Sequence, residues 1–208
     1  MGNKRVGLAR TQALLENLKR EIDLSTSTIL KNAQLTVAEE SATYGAGAIS
    51  TEVAPSTFIQ NVGGDIITTI QLDLTGLKKK SDVGDVIGLD GVNGAYLLQF
   101  LSATHGILYK VEVSCIELPA AASNNLLDFD LIANSSATLA YDGDATSGGT
   151  SIFAAGGNFA LGTTIQNLAV TQPTNAHYVY LCDGATSTGA DTFTAGKLVI
   201  KLFGRASF

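Results

Sequence analysis

With 208 residues and 45% hydrophobic side chains, the chain can bury a real core as one all-β domain or two small ones; its 15% charged content lies well under the usual quarter. Two Cys and two His leave a structural zinc site short of ligands, and no stretch can span a bilayer, since Gly, Ser, Thr, Asn and Gln interrupt even the uncharged residues 145–182. The net charge of −6 is uneven: Lys4, Arg5, Arg10, Lys19 and Arg20 face only Glu16 in the first twenty residues, whereas the remaining 188 hold eight basic and eighteen acidic side chains.

The N-terminus has no apolar core of signal-peptide type, and Val6 stands where a myristoylation signal wants Ser or Thr, so a soluble protein made in the cytoplasm is expected. Leu8, Leu15 and Ile22 recur every seven residues, with Leu14 and Leu18 on the same face. This spacing predicts an amphipathic helix of about four turns. Glu16 and Arg20 add an i,i+4 pair in the favourable order, and the Ser25–Thr26–Ser27–Thr28 run ends the helix. So short a helix is marginal alone in water, so its apolar face must lie against something.

Residues 39–64 read mostly as loop, with Pro55. The period then changes to two: Ile70, Leu72 and Leu74 alternate with Gln71 and Asp73, and Lys78–Lys79–Lys80 mark a solvated turn. Short apolar strands follow at Val86–Ile87 and Ala95–Phe100. In "GILYKVEVSCIELP", Ile107, Tyr109, Val111, Val113 and Cys115 share one face, and Ile116 and Leu118 break the phase, by a bulge or by burial of both faces. Leu127, Phe129 and Leu131 alternate with Asp128 and Asp130, which are assigned to solvent. Tyr178, Tyr180 and Cys182 form another strand, and Leu198, Ile200 and Leu202 the last. About eight closely spaced strands without intervening helices predict a mainly β chain: an antiparallel β-sandwich or jelly roll behind one short N-terminal helix. The expected organisation is a docking arm over 1–30, an extended or loop segment over 31–64, and an all-β body over 65–208.

Residues 142–156 and 183–196 echo each other, sharing an Asp-Gly start and Phe153 or Phe193 near the end, and are read as two similar hairpin loops. Cys115 and Cys182 are expected to be buried free thiols. The glycines of "GDVIGLDGVNG" lack the order and context of a dinucleotide fingerprint. Asp142 and Asp144 have calcium-like spacing, but the loop offers too few hard oxygens. His105 and His177 are placed at the surface or rim, and no nucleophile elbow or Cys-His signature accompanies the cysteines. No catalytic residue, metal or cofactor is therefore assigned. The basic terminus has no interleaved aromatics and precedes an acidic body, which argues against direct nucleic-acid contact.

The succession "GDVIGLDG…GAYLLQF", "HGILYKVEVSCIELP", "DFDLIANSS…LAYDG", "GGNFALGTT" and "AGKLVIKLFG", behind the "NKRVG" start, resembles virion structural proteins of tailed phages of marine bacteria (cyanophage- or pelagiphage-like). The resemblance implies a head-associated virion component without enzymatic activity, and carries no active-site residues. The expected function is a capsid decoration or cement protein, made in the host cytoplasm and bound for the virion. Its partners are capsid or other virion proteins and copies of itself in a symmetric assembly. Lys4, Arg5, Arg10, Leu15, Leu18 and Ile22 are the candidate docking residues. The alternatives are a receptor- or glycan-binding module of a tail or head fibre, or the capsid subunit itself.

Overall fold

The computed structural model describes residues 35–40, 44–51, 53–80, 82–121 and 128–206. The predicted N-terminal helix lies outside these residues. The described chain is mainly β and forms two antiparallel sheets. Its strands are β1 (Leu35–Glu40), β2 (Ser56–Val62), β3 (Asp65–Asp73), β4 (Lys78–Lys79), β5 (Tyr96–Gln99), β6 (Ile107–Ala121), β7 (Phe129–Asn134), β8 (Thr150–Ala154), β9 (Thr164–Asn167), β10 (Tyr178–Asp183) and β11 (Asp191–Arg205). The large sheet runs β1-β2-β3-β11-β6-β9, with β4 added to β11; the small sheet runs β5-β10-β7-β8. The stretch 31–64 thus supplies two strands of the large sheet, through Leu35–Val62 and Thr57–Ile70 register.

Period-two alternation decides which residues meet. Ile70, Leu72, Leu198, Ile200, Leu202, Val111 and Val113 point from the large sheet into one core, and Leu98, Phe129, Leu131, Val179 and Leu181 join it from the small sheet. At 25 cal/mol per Å² of apolar area this core is the main source of stability. Strand β10 is buried on both faces: Tyr180 and Cys182 sit with Ile132 in a second cluster, under Val86, Ala95 and Ala145. The covering segments hold each other by backbone bonds, Ala95 N–H to Leu139 O at 2.9 Å and Ala145 N–H to Gly84 O at 2.9 Å. Both cysteines are free and buried.

The pairing of strand β6 with β11 is irregular at four points, one opposite Phe203–Gly204 and three between Phe193 and Leu198. A bulge opposite Phe203–Gly204 turns Ile107 and Tyr109 outward, 55% and 42% exposed, so they do not share the face of Val111. One extra residue shifts the phase of everything before it. The irregularity opposite Lys197–Leu198 leaves Ile116 exposed and the next one, opposite Ala195–Lys197, leaves Leu118 exposed, so the phase breaks there by bulging rather than by two-sided burial.

The echo at 142–156 and 183–196 does not make two equivalent hairpins. The first belongs to the connection from β7 to β8 within the small sheet, whereas the second carries the chain from β10 in the small sheet to β11 in the large one. Both Phe153 and Phe193 are buried in the shared core, so the repeat preserves an anchor and not a turn. Asp142 adopts a positive φ of 67° at the surface, while Asp183 is fully buried.

Candidate functional site

The six predicted docking residues, Lys4, Arg5, Arg10, Leu15, Leu18 and Ile22, all lie outside the described residues. Within the body, polar and exposed apolar groups concentrate in three places.

The first is a buried ionic clamp between the two sheets. Lys79, expected in a solvated turn, has no exposed side-chain surface, and neither has Asp183. Alternation along the two-residue strand β4 turns Lys79 inward between Lys78 and Lys80, which stay half-exposed and pair with Asp90 and Asp142 at 2.8 and 2.7 Å. The Lys79 ammonium lies 3.7 Å from Asp183 Oδ1 and donates to Ser187 Oγ at 3.0 Å and Thr188 O at 2.8 Å. Asp183 in turn accepts from Ser187 Oγ at 2.7 Å and the Lys80 N–H at 2.9 Å. Burial pushes the Asp183 carboxyl up, opposed by these bonds and by the Lys79 charge. A buried charge pair is tolerable only when its remaining hydrogen-bonding capacity is filled, as here.

Asp128 extends the same region. Alternation places it on the solvent face with Asp130, yet it is fully buried, because three donors from turns close on it: Gly157 N–H at 3.2 Å, Thr186 N–H at 3.0 Å and Thr186 Oγ1 at 2.9 Å. Asp130 is half-buried, and desolvation drives its carboxyl up to about 6, against a hydrogen bond from Ala155 N–H and with the help of the Asp128 charge. Asp85 is also buried, and its Oδ2 has no hydrogen-bond partner. Burial and the charges of Asp142, Asp82 and Asp183 raise its carboxyl.

The second place is His105, at the end of a single helical turn, Ser102–His105. It is a core residue, 2% exposed, rather than a rim residue. Its Nδ1 lies 2.9 Å from Thr68 Oγ1 and its Nε2 3.3 Å from Gln99 O, so the neutral ring donating from Nε2 satisfies both neighbours. The ring stacks on Phe100 at 5.5 Å, and burial pulls its pKa down to about 4. The turn sits against β11 only because residue 204 is glycine; a Cβ there would lie 1.9 Å from His105 O. His177 is half-buried at the start of β10.

Apart from Asp85 Oδ2 and His177 Nδ1, which are buried without a hydrogen-bond partner, these groups are engaged within the fold. Cys115 donates its thiol to Glu117 O at 3.3 Å, and burial raises both thiols. Asp144 accepts from Thr146 N–H and Oγ1, and Asp142 is engaged by Lys80. Among the described residues no group of three His, Cys, Asp or Glu is placed to hold a metal ion, and no helix is long and apolar enough to cross a membrane.

The third place is the outer face of the large sheet, where exposed apolar side chains stand among polar and charged ones such as Thr69, Gln71, Lys201 and Ser114. Register puts Val62, Ile67, Val199 and Phe203 on it. Lys110 lies 3.7 Å from the Phe203 ring centroid, and Arg205 stands 5.9 Å from that of Tyr109. The charges on this face pair off: Arg205 with Asp65, Lys110 with Glu112, and Lys197 with Glu117. Sequence reading missed this face because the β6 bulges that turn Tyr109 and Ile116 onto it are set by the partner strand. Compared with known families, curated proteins and solved structures, the chain matches none.

Proposed function

We propose that this chain is a non-enzymatic structural protein of a phage particle, a capsid decoration or cement protein attached through residues 1–30. The observation that carries the reading is a division of labour along the chain. A basic segment with apolar residues at helical spacing precedes an acidic β body that exposes single apolar side chains such as Val62, Tyr109 and Ile116. On this reading the two sheets form a β-sandwich of the jelly-roll kind, and its buried polar groups serve stability. The resemblance to marine phage virion proteins, the low charge content and the locked buried carboxylates support it. Its partners are capsid or other virion proteins and further copies of the chain, and its place is the virion. Leu15, Leu18 and Ile22 supply apolar contact while Lys4, Arg5 and Arg10 meet acidic surface. Burying three such side chains is worth roughly 5–8 kcal/mol before ordering costs, and repetition over a symmetric shell turns modest affinity per copy into firm attachment.

The test is particle assembly with the chain truncated after residue 24. A body that folds but no longer joins particles is the expected result; unchanged incorporation would sink the arm. A fibre-type receptor module is the second reading, favoured by the partly exposed Tyr96 and Tyr178, whose ring centroids lie 4.8 Å apart. Glycan-array binding that is lost in Tyr96→Ala would move the assignment there.

A further inference from the structure

One edge of the large sheet is both open and free of charge. Residues 145–182 contain no Asp, Glu, Lys or Arg, although the chain as a whole carries a net charge of −6. Sixteen of the 23 residues from 154 to 176 are exposed, in a stretch that includes β9, the last strand of that sheet. The stretch keeps to the edge: Gly162 N–H donates to Cys115 O at 2.9 Å before β9, and Gln172 Oε1 accepts from Leu108 N–H at 2.8 Å after it. Leu161 and Leu168 flank the strand at 64% and 69% exposure, the highest of any large apolar side chains among the described residues.

Backbone direction shows what this edge can bind. Cys115 N–H donates to Thr163 O at 2.9 Å, and β9 continues the pairing with β6 from Ser114↔Thr164 to Val111↔Asn167. An antiparallel ladder alternates, so Ile165 and Asn167 turn their N–H and C=O groups to β6, and Thr164 and Gln166 turn theirs outward. Among the described residues β9 has no second strand beside it. An edge of the small sheet is treated differently: β5 is backed by its own chain, through Gly45 N–H to Tyr96 O at 2.8 Å and Gly47 N–H to Gly94 O at 2.9 Å. β9 has no such backing, and it lacks the Lys or Pro that commonly blunts a free edge.

We propose that β9 pairs antiparallel with β9 of a second copy across a two-fold axis at Ile165, joining two large sheets into one. The edge is complementary to itself. With the axis at Ile165, Thr164 of each copy stands opposite Gln166 of the other, so all four outward N–H groups meet outward C=O groups. The same register sets Gly162 opposite Leu168 of the partner subunit, which brings Leu161 of each copy beside Leu168 of the other. The exposed leucines at the two ends of the strand thus cover each other. Charge selects the same partner, because two acidic molecules meet here without like charges in apposition: β9 and its flanks carry none, and Lys110 and Glu112 on the adjoining β6 offset each other at 2.9 Å. The size also fits, since a standard interface takes about 20–30 residues from each side. The contact is isologous and closes at two copies. It deepens the structural-protein reading, on which its place in a particle rests, by naming where one copy meets the next.

The test uses the purified full-length protein without particles. Sedimentation at tens of micromolar should show self-association, and Leu168→Lys and Gln166→Pro should each weaken it at least tenfold. The Gln166 N–H points outward, so proline there removes no bond within the fold, and Leu168 is exposed; both variants should keep the melting curve of the dilute wild type. Mixing a Leu161→Cys chain with a Leu168→Cys chain should give disulfides between unlike copies at least tenfold more readily than between like ones; the native cysteines are buried and do not compete. A monomeric wild type overturns the inference, and so does self-association indifferent to both substitutions. Crosslinking that is as ready between like chains as between unlike ones overturns it too, because the antiparallel register is then wrong. Particle incorporation is scored separately, so failure of the β9 pairing and failure of the virion reading are told apart.

Discussion

The two sheets treat their outer faces in opposite ways. On the small sheet, Ile132, Tyr180 and Cys182 would be exposed, but the connection from β7 to β8 and the segment around Val86–Ala95 fold over them and leave at most 3% of each accessible. Tyr180 even finds a partner for its hydroxyl in that cover, Ser136 O at 2.6 Å. On the large sheet, Tyr109 and Ile116 stay open, although they are as apolar as the residues the other sheet hides. A sheet face is covered by its own chain where a long connection returns across it, and a tight connection such as Gly63–Gly64 between β2 and β3 supplies no such cover.

The largest effect expected from breaking the closed side is at the ionic clamp. Lys79→Met removes the ammonium and leaves Asp183 charged and buried, which should cost about 3–5 kcal/mol in urea unfolding. Adding Asp183→Asn should recover most of that loss. The amide oxygen still accepts from the Lys80 N–H, the amide nitrogen can donate to Ser187, and no charge remains uncompensated. A double variant as unstable as the single one would show that the clamp works through packing rather than charge.

How much of this was legible in the sequence differs between the same two regions. The inner stripe of β11, Leu198, Ile200 and Leu202, follows from strict local alternation, and so does the mainly β character. The free buried thiols followed from strand position. Lys79 was not legible, because three consecutive lysines look like a solvated turn until the partner at Ser187, 108 residues away in sequence, is brought alongside. Asp128 failed for the same reason: its donors come from Gly157 and Thr186, in other loops. Long-range satisfaction of a polar group leaves no periodic trace, and neither does a bulge whose position is dictated by the facing strand. The candidate docking residues were read from sequence alone and lie outside the described residues.

A smaller effect distinguishes His105 and Asp130, two groups whose pKa values move in opposite directions on folding. His105 has a folded pKa of about 4 against 6.5, so between those values the unfolded chain binds more protons and stability falls as pH drops. Asp130 has a folded pKa of about 6 against 3.8, so over nearly the same window the folded chain binds more protons and stability rises as pH drops. Each slope is at most about 1.4 kcal/mol per pH unit, and solvent reaching the half-buried Asp130 makes its slope the shallower. The two therefore oppose each other between about pH 4 and 6. Chemical denaturation over that range should show acid sensitivity steepening in Asp130→Asn and turning toward acid stabilisation in His105→Gln. Parallel curves for the two variants would contradict the opposed assignment.

The smallest expected effect is on the open side. Ile116→Ser deletes a large apolar side chain, and in the small-sheet cluster an equivalent truncation would cost about 2–5 kcal/mol. At 55% exposure, with solvent already against it, the loss in the monomeric body should stay within about 0.5 kcal/mol by thermal or urea unfolding. The comparison is sharpest if the same substitution is measured as a function of protein concentration. A residue that serves only its own fold costs the same at every concentration, whereas one that serves an interface becomes more costly as the assembled form becomes populated. A small Ile116→Ser effect that is the same at every concentration identifies a side chain that serves only its own fold, and one that grows with concentration identifies an interface residue.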